Sequence, residues 1–358
     1  MVMCKIATLL LLSVASAFTG SALLAQPPAA NSASAAPSPV EPVRTASVVT
    51  FHLENDFFGS NDRHYTNGFK LSRLSGDLTS WGQTGWRQTV VEALPFVNRP
   101  GAQKNFGLAL GQNMYTAERD ELHVPDPTDR PYAGWLYLEF SFISKTPRVM
   151  DSLSFQLGVI GRHSYAQETQ TLVHKWLNDR QARGWAFQLK DEVAGNIIYE
   201  RRWRLFARTS GNALGFDVVP HAGASLGTVQ TYANVGLTAR VGFHLPNDFG
   251  VEPISGGAAT NSPLDGRTSI VGSRRPNSLF VFGGVDGRAV ARDIFLDGNT
   301  WRDSPSVDKE TLVGDSYWGV GVILRQWQFT YTYVVRSKEF KAQREVNQFG
   351  SVAVSRAF

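Results

Sequence analysis

Cysteine is almost absent from this chain, since its one copy, Cys4, lies before the first apolar run. The rest of the chain can form no disulfide bond, and Cys4 is not placed as a lipid-anchored first residue. Stability must therefore come from a large hydrophobic core or from a closed sheet. Charged residues are also scarce, at 18% of the chain, and the formal net charge of +4 permits an anionic partner without requiring one.

Long apolar runs are confined to the N-terminus. Lys5 precedes an apolar stretch that closes with the small residues Ala22 and Ala25, a pattern typical of a secretory signal peptide. We expect residues 1–25 to be this signal and residues 26–45, rich in Pro, Ala and Ser, to be a flexible leader. No later run of about 18 apolar residues exists, which excludes a transmembrane helix.

Glycine (33), phenylalanine (22) and tryptophan (9) are plentiful instead. Most of the remaining chain alternates apolar and polar residues with period two, in runs of about 9–14 residues. Such runs exceed the usual strand of a soluble sandwich and match a tilted strand that crosses a bilayer. The twelve runs are 48–56, 65–74, 105–115, 132–144, 153–161, 197–208, 217–229, 235–245, 279–291, 312–324, 327–335 and 346–358.

We therefore predict an all-β fold, a transmembrane antiparallel up-and-down β-barrel of about twelve strands over residues 46–358. The alternation continues to Phe358, which resembles the insertion signal of bacterial outer-membrane barrels. A secreted β-sandwich or a soluble barrel is the alternative. Outer-membrane barrels carry aromatic girdles at strand ends. The predicted girdle residues are Phe57, Phe58, Tyr65, Phe69, Tyr132, Trp135, Tyr137, Trp318, Trp327, Tyr331 and Tyr333.

An even barrel leaves both termini in the periplasm, so the odd-numbered connections are predicted to lie outside the cell. The first, third and fifth connections cover residues 59–64, 116–131 and 162–196. The even connections at 145–151 and 210–215 are short, as periplasmic turns usually are. Two even connections are long, 75–104 and 246–278, and we interpret them as periplasmic or lumen-plugging segments.

Polar side chains cluster at three places that this topology brings to the same outer rim. A structural hairpin needs only Gly or Asn-Gly at its tip, so the carboxylates and amides between Glu54 and Asp62 exceed what a turn requires. We therefore predict a polar site at this rim. The clusters are 54–56 with 65–68, 111–115 with 128–134, and 167–177.

The third cluster has helical periodicity and contains a histidine. We predict a short helix in an extracellular loop, with His174 beside its apolar face, where it can look into the barrel mouth. The residues of that apolar face are Leu172, Val173, Trp176 and Leu177.

Catalysis at this rim has two open routes. The first is nucleophilic attack by a serine that a histidine activates. The sequence has no GxSxG motif, and no serine near the rim lies in a recognisable catalytic motif, so a Ser–His pair is without support. In the other route, a histidine acts as general base on a water molecule while a bound cation stabilises the oxyanion. Asp56, carbonyls near Thr66 and an acid of the fifth connection would suit Ca²⁺, which takes oxygen ligands. The seven histidines show no spacing typical of zinc ligands.

Each candidate also has a purely structural interpretation. Asn55 and Asp56 could cap a turn, and His174 could be a solvated or packed residue of a loop helix. Arg130 could pair with a nearby acid such as Asp129, or it could bind a phosphate. The candidates gain weight because they converge on one rim.

At these residues the chain resembles the outer-membrane lipid A 3′-O-deacylase family. The likeness covers nearly all of the chain after the leader, and the ordered set of motifs is specific although each motif alone is weak. The matching motifs are END at 54–56, YTNG at 65–68, QNMY at 112–115, TDRPYAG at 128–134, the helix around His174, and GW at 184–185 with Gln188, Leu189 and Glu192.

The resemblance implies a twelve-stranded barrel that uses Ca²⁺ to remove an acyloxyacyl chain from lipid A in the outer leaflet. It implies that His174 is the general base that activates water and that Asn55 and Asp56 line the active site. An outer-membrane phospholipase is the alternative enzyme. A non-catalytic or porin-like barrel is the alternative from another class.

The implied metal site has one departure from the family pattern. Asp56 is expected near the cation, and Thr66 is expected to contribute its backbone. In the family, a glutamate six residues after the histidine also binds calcium, whereas this chain has Arg180 there. The adjacent Asp179 is the acid that we expect to complete the metal site.

The same resemblance implies the partners. Lipid A meets an outer-rim site without extraction from its leaflet, and its phosphates suit Arg130 and Lys175. Gln112 is expected to be a further substrate-binding residue. We expect a monomer of the bacterial outer membrane that contacts lipopolysaccharide and membrane lipids and no nucleic acid.

Overall fold

The computed structural model describes residues 47–56, 65–78, 89, 97, 99, 101–177, 180–208, 214–250 and 277–358. Its strands are β1 (Val48–Asn55), β2 (Tyr65–Leu74), β3 (Gln103–Tyr115), β4 (Ala133–Lys145), β5 (Val149–Ile160), β6 (Glu192–Trp203), β7 (Leu205–Arg208), β8 (Leu214–Gly227), β9 (Gln230–Phe243), β10 (Ser278–Asp293), β11 (Leu312–Leu324), β12 (Trp327–Arg336) and β13 (Asn347–Ala357). The helices are α1 (Ala166–Leu177) and α2 (Ile294–Asp297), with 3₁₀ turns at Arg162–Ser164 and Gly184–Phe187. None of the helices in these residues is long and apolar enough to cross a membrane.

Several predicted features lie outside the described residues. They are the signal peptide and leader, Phe57, Phe58, the first connection at 59–64, Asp179, the side chains of Tyr65, Thr66, Asn67 and Leu177, and most of the two long connections.

The strands form one closed antiparallel sheet. Consecutive strands pair with each other, and β1 also pairs with β13. The short β7 follows β6 after Arg204, and both strands pair with β8. Counting β6 and β7 as one position leaves twelve positions in the thirteen-strand order, which confirms the predicted twelve-stranded up-and-down barrel.

Alternation along the strands separates two faces of the wall. On β4, Leu138 is 47% exposed whereas its neighbour Glu139 is 2% exposed, because successive side chains of a strand point to opposite faces. We call the face of Leu138 the outer face and the face of Glu139 the lumen face. Leu108, Leu110 and Phe140 extend the exposed apolar surface, as expected for a wall that contacts lipid.

Side chains fill the lumen of the described barrel. Lys70 donates hydrogen bonds to both carboxylate oxygens of Glu139, at 3.0 and 2.9 Å. Higher in the lumen, Tyr115 stacks on Phe295 of α2 with ring centroids 4.0 Å apart. Small barrels are packed in this way, and the described side chains occupy the space that a wide pore would need.

Aromatic residues at the strand ends divide between the two faces. Trp318 and Tyr331 are exposed on the outer face, as a girdle requires. Trp135 and Tyr137 instead stack on each other in the lumen, with centroids 4.1 Å apart, and Tyr132 is also buried. The girdle prediction was wrong for Trp135 and Tyr137, because their position along the chain does not decide which face they take. It was also wrong for Tyr132, which is covered by Trp185 and does not contact lipid.

The connection at 246–278 enters the lumen where it is described. Phe249 packs in a buried cluster with Leu74 of the lumen face. The lumen-face Arg202 donates to the Phe249 carbonyl at 2.8 Å. The lumen-plugging interpretation is thereby confirmed for residues 246–250.

The connection at 75–104 behaves differently. Val97 packs against Phe142 of the outer face. Arg99 forms an ion pair with Asp151 at 3.0 Å, which neutralises a buried carboxylate on the same face. Val97 and Arg99 therefore lie on the outer wall, and the lumen-plugging interpretation is wrong for these two residues.

Candidate active site

Helix α1 lies on the outer face of the wall, at the rim formed by the odd-numbered connections. Gln112 and Met114 of β3 share the face of the exposed Leu110, since they follow it at even spacing. Met114 packs with Ala166 of α1 in one buried cluster. Gln112 Nε2 donates to the carbonyl oxygen of Ser164, directly before the helix. The helix therefore stands outside the barrel wall.

Gly134 lets the chain before α1 approach β4 closely. It lies opposite Met114 in the ladder of β3 and β4, on the outer face. A Cβ atom at this position would collide with Ser164 Oγ and Ala166 Cβ. The start of the helix can therefore take its place against the wall only because this residue has no side chain.

The buried stripe of α1 consists of Ala166, Gln170 and His174. Their spacing of four residues places them on one face of a helix. Leu172, of the predicted apolar face, is 70% exposed, so it does not belong to the side of the helix that packs on the protein. The helix turns its polar stripe to the protein and part of its apolar surface to the surroundings.

A tryptophan clamps the middle of α1. Trp185 Nε1 donates to Gln170 Oε1 at 2.6 Å, one helical turn before the histidine. The Trp185 ring also packs edge-on against Tyr132, with centroids 5.3 Å apart. Because Tyr132 directly precedes β4, this contact ties the helix to the wall.

The candidate base, His174, is held in one orientation. It is 8% exposed, and its Nδ1 donates to the carbonyl oxygen of Arg180. Since a carbonyl oxygen only accepts, Nδ1 carries the proton of the neutral ring and Nε2 keeps a lone pair. The ring belongs to the buried stripe of a helix that packs on the outer face, and its predicted orientation toward the barrel mouth stays a prediction.

Asn55 shares the face and the rim of α1. It lies opposite Asn67 of β2, which lies opposite Met114 of β3. Side chains directly opposite one another in a sheet occupy the same face. Asn55 is therefore on the outer face, about 10 Å across two strand spacings from the residue on which α1 packs. Asp56 follows it at the end of β1 and is buried.

The residues near Asp56 offer oxygen donors to a hard cation. The ladder of β2 and β3 skips Thr66, which forms a bulge between Tyr65 and Asn67. A bulge takes backbone groups out of the ladder, which suits the predicted use of the Thr66 carbonyl as a ligand. Carboxylate and carbonyl oxygens fit Ca²⁺.

The rest of a metal site does not lie in the described residues. No group of three or more His, Cys, Asp or Glu side chains that could hold a metal occurs among them. Asp179 lies outside them, so its role stays a prediction. Arg180, at the position where an acid was expected, is exposed and offers its carbonyl oxygen to His174.

Arg130 lies over the lumen, apart from the face that carries α1. It is 1% exposed, and its Nη2 donates to Glu339 at 2.7 Å. Its guanidinium also lies 5.3 Å from the ring centroid of the lumen-face Tyr115. Contact with a lipid phosphate would require Arg130 to leave Glu339, and its predicted role stays a prediction.

The other two predicted substrate-binding residues belong to the α1 side of the wall. Lys175 is exposed on the helix, next to His174. Gln112 is buried beneath the turn that precedes α1, and its Oε1 has no hydrogen-bond partner among the described residues. An acceptor in such a place is suited to a hydroxyl or amide donor of a ligand.

The structure thus brings Asn55, Gln112 and His174 to the outer face of one rim and leaves Arg130 on the lumen side. Sequence reasoning did not identify the clamp from Trp185 to Gln170. One feature of the sequence could have indicated that a segment packs here. It is the glycine of the TDRPYAG motif, because a glycine at the end of a predicted strand can mark the close approach of another segment.

One family model matches almost the whole chain. The model described as outer membrane protein LpxR matches residues 10–358. Among curated proteins, no sequence matches the chain significantly.

Solved structures share the fold. The structure of LpxR from Salmonella typhimurium aligns with a TM-score of 0.67 at 16% identity, over 87% of this chain and 100% of that chain. The β domain of the Bordetella autotransporter BrkA aligns with a TM-score of 0.42 at 9% identity, over 88% of this chain and 99% of that chain. At 16% identity the likeness to LpxR from Salmonella typhimurium shows the barrel fold alone.

Proposed function

Because the chain belongs to the LpxR family of outer membrane proteins, we propose that it is a lipid A 3′-O-deacylase. The proposed reaction is hydrolysis of the ester-linked acyloxyacyl chain of lipid A by a water molecule that His174 activates. The observation that carries the proposal is the buried stripe of α1, which contains His174 and whose first residue, Ala166, packs on the outer face of the wall. A base at this position meets a lipid of the outer leaflet from the side.

The orientation of the His174 ring supports a role as general base. Its Nδ1–H is held by the Arg180 carbonyl, so Nε2 is the atom that takes a proton from water. The resulting hydroxide attacks the ester carbonyl, and the tetrahedral intermediate expels the sugar alkoxide. The protonated Nε2 then returns its proton to this alkoxide, which leaves a free carboxylic acid and a free hydroxyl group.

Other residues of the site would bind and orient. Asp56 and the Thr66 carbonyl would hold Ca²⁺, with Asp179 as the third protein ligand. When bound, the cation supplies positive charge for the oxyanion. The Asn55 amide would orient substrate at the same rim, Gln112 Oε1 would accept a hydrogen bond from it, and Lys175 would contact a phosphate.

Alternative functions have less support. A porin needs an open lumen, whereas Lys70, Glu139 and their neighbours fill the described part of this one. An outer-membrane phospholipase would use the same base and the same face. The identity of the released acyl chains separates that reading from lipid A deacylation.

Mass spectrometry of lipid A from a host that expresses the chain tests the proposal. We expect the wild type and the control Gln167→Ala, an exposed position of the same helix, to remove one acyloxyacyl chain. We expect His174→Ala to leave lipid A intact, and a chelator to inhibit the wild type. Deacylation of lipid A by the His174→Ala variant would contradict the proposed mechanism. Loss of acyl chains from phospholipids alone would favour the phospholipase.

A further inference from the structure

A second polar cluster lies at the other end of α1. Asp191, just before β6, accepts from the backbone N of His163 at 2.9 Å and hydrogen-bonds to His163 Nδ1 at 2.8 Å. Burial alone would raise the pKa of Asp191, but the hydrogen bonds from His163 outweigh it and hold that pKa below its usual range. The carboxylate therefore fixes the imidazole, whose Nε2 is left for another group. We call Arg162, His163, Lys190 and Asp191 the Asp191 cluster.

The backbone beneath this cluster is locked. Gly161 has a φ of 95°, and a Cβ atom there would lie 2.8 Å from backbone atoms of Lys190 and Asp191. The two segments therefore touch through a position that only glycine fits. Asn299, from the connection after α2, accepts from the Lys190 N at 2.9 Å and donates to the Lys190 carbonyl at 2.8 Å. Two other parts of the chain, at Gly161 and at Asn299, thus hold the backbone of Lys190 in place.

The side chains above this backbone carry an excess of positive charge. Arg162, His163 and Lys190 are all exposed, and they surround the single carboxylate of Asp191. Among the described residues, neither Arg162 nor Lys190 forms an ion pair with an acid, since Asp191 pairs with His163. Guanidinium, ammonium and imidazole donors on a fixed backbone suit a phosphate group, which accepts several charge-assisted hydrogen bonds.

An apolar groove of the outer face begins directly beside the cluster. Val193, two residues after Asp191, is 72% exposed, and Leu157 and Ile197 are exposed near it. Gly195 lies between Val193 and Ile197 and opposite Leu157, and because it has no side chain, Leu157 Cδ1 can lie 3.6 Å from the place that a Cβ atom would take there. Cationic groups at the rim above exposed apolar side chains match the headgroup and the acyl region of a leaflet.

We propose that the Asp191 cluster and this groove form a second lipid site, which binds the phosphate headgroup of an outer-leaflet lipid A molecule. Arg162, His163 Nε2 and Lys190 bind the phosphate, and the acyl chains lie along Leu157 and Val193. The site is distinct from the hydrolytic one, because His163 lies in the 3₁₀ turn before α1, and the eight helical steps from Ala166 to His174 alone span about 12 Å. It holds lipid beside the hydrolytic site and requires no hydrolysis.

Native mass spectrometry of the refolded barrel tests this site. The protein is His174→Ala, so that turnover cannot change the ligand, and the probes are purified lipid A and chemically dephosphorylated lipid A. We expect two bound lipid A molecules in this background. Adding Arg162→Ala and Lys190→Ala should weaken the second binding event about tenfold or more, with a smaller effect for the dephosphorylated probe. The matched control is Lys338→Ala with Arg344→Ala, two exposed cations of another connection at the same rim.

Two further outcomes decide the proposal. The substitution Asp191→Asn makes the cluster more positive but removes the carboxylate that orients the His163 ring. If the oriented ring binds the phosphate, lipid A binding becomes weaker. If positive charge alone attracts the lipid, binding becomes tighter. Retention of every bound lipid A in the Arg162→Ala, Lys190→Ala protein, or equal losses for both probes, would overturn the proposal. A single bound lipid A that this variant still retains would overturn it as well, whereas a single lipid A that it loses would count against the hydrolytic site. Heat-dependent gel mobility confirms that each variant is a folded barrel. Because binding is read without hydrolysis, a failure here leaves the proposed deacylase activity standing, and the reverse also holds.

Discussion

At the scale of the residue, Gly134 decides where the helix can lie. The substitution Gly134→Ala places a methyl group against Ser164 Oγ and Ala166 Cβ, so the start of α1 must shift. Overpacking of this kind costs about 1–3 kcal/mol, and a shifted base loses its geometry. We expect the barrel to fold while deacylation falls about tenfold or more, as measured by kcat/KM on lipid A. Gly314→Ala, a strand glycine with only the Asp286 carbonyl nearby at 3.9 Å, is the control. Wild-type kcat/KM in Gly134→Ala would show that the close contact is not needed.

The candidate residues could be identified from the sequence, but the face of the barrel wall on which each side chain lies could not. His174 and Asn55 stood out by chemistry and position along the chain, and both do lie at one rim. Their placement on the outer face depends on strand register, since a one-residue slip exchanges the two faces of a strand. The partner of Arg130 is Glu339, 209 residues away, and no local pattern points to it.

At the scale of the element, α1 depends on the clamp from Trp185. The substitution Trp185→Phe removes the donor to Gln170 but keeps an aromatic ring against Tyr132. Loss of a buried hydrogen bond of this kind costs about 1–1.5 kcal/mol, so the helix stays folded but its histidine is less well placed. We expect kcat to fall roughly tenfold with KM nearly unchanged. Trp318→Phe, at an exposed outer-face position, should leave both unchanged, and a wild-type kcat in Trp185→Phe would contradict the clamp.

The helix also shows why an apolar face found by periodicity need not be the face that packs on the protein. Periodicity finds the apolar side of a helix, and in a soluble protein that side is normally packed on the core. Here α1 stands outside a wall that contacts lipid, so Leu172 is exposed while Gln170 and His174 are buried. The existence of the helix could be predicted from the sequence, but its orientation depends on the solvent around it.

At the scale of the whole molecule, the barrel could be predicted because its signal is repeated in every strand. Long alternating runs indicate membrane strands, and all twelve correspond to strand positions of the closed sheet. The long connections carry no such repeat. Their described parts lie in the lumen at Phe249 and on the outer wall at Val97, and these places depend on buried partners far away in the sequence.

A buried ion pair joins distant connections at the rim, and it makes the stability of the barrel depend on pH. Burial would raise the pKa of Glu339, but the guanidinium groups of Arg130 and Arg336 outweigh it and lower that pKa below 4.5. A lowered folded-state pKa stabilises the fold above the unfolded-state value, and this contribution is lost as the pH falls through the folded-state value.

Glu339→Gln tests this dependence. We expect the variant to be less stable than the wild type by about 3 kcal/mol at neutral pH, because it leaves buried cations without a countercharge. The two proteins should converge as the pH falls below 4.5, since the wild type then loses the same charge. The measurement is the unfolding midpoint in detergent from pH 7 to pH 3, followed by heat-dependent gel mobility. Glu345→Gln, an exposed acid of the same connection, should follow the wild type throughout. A gap between Glu339→Gln and wild type that stays constant with pH would mean that the stabilisation comes from packing and not from the charge of Glu339.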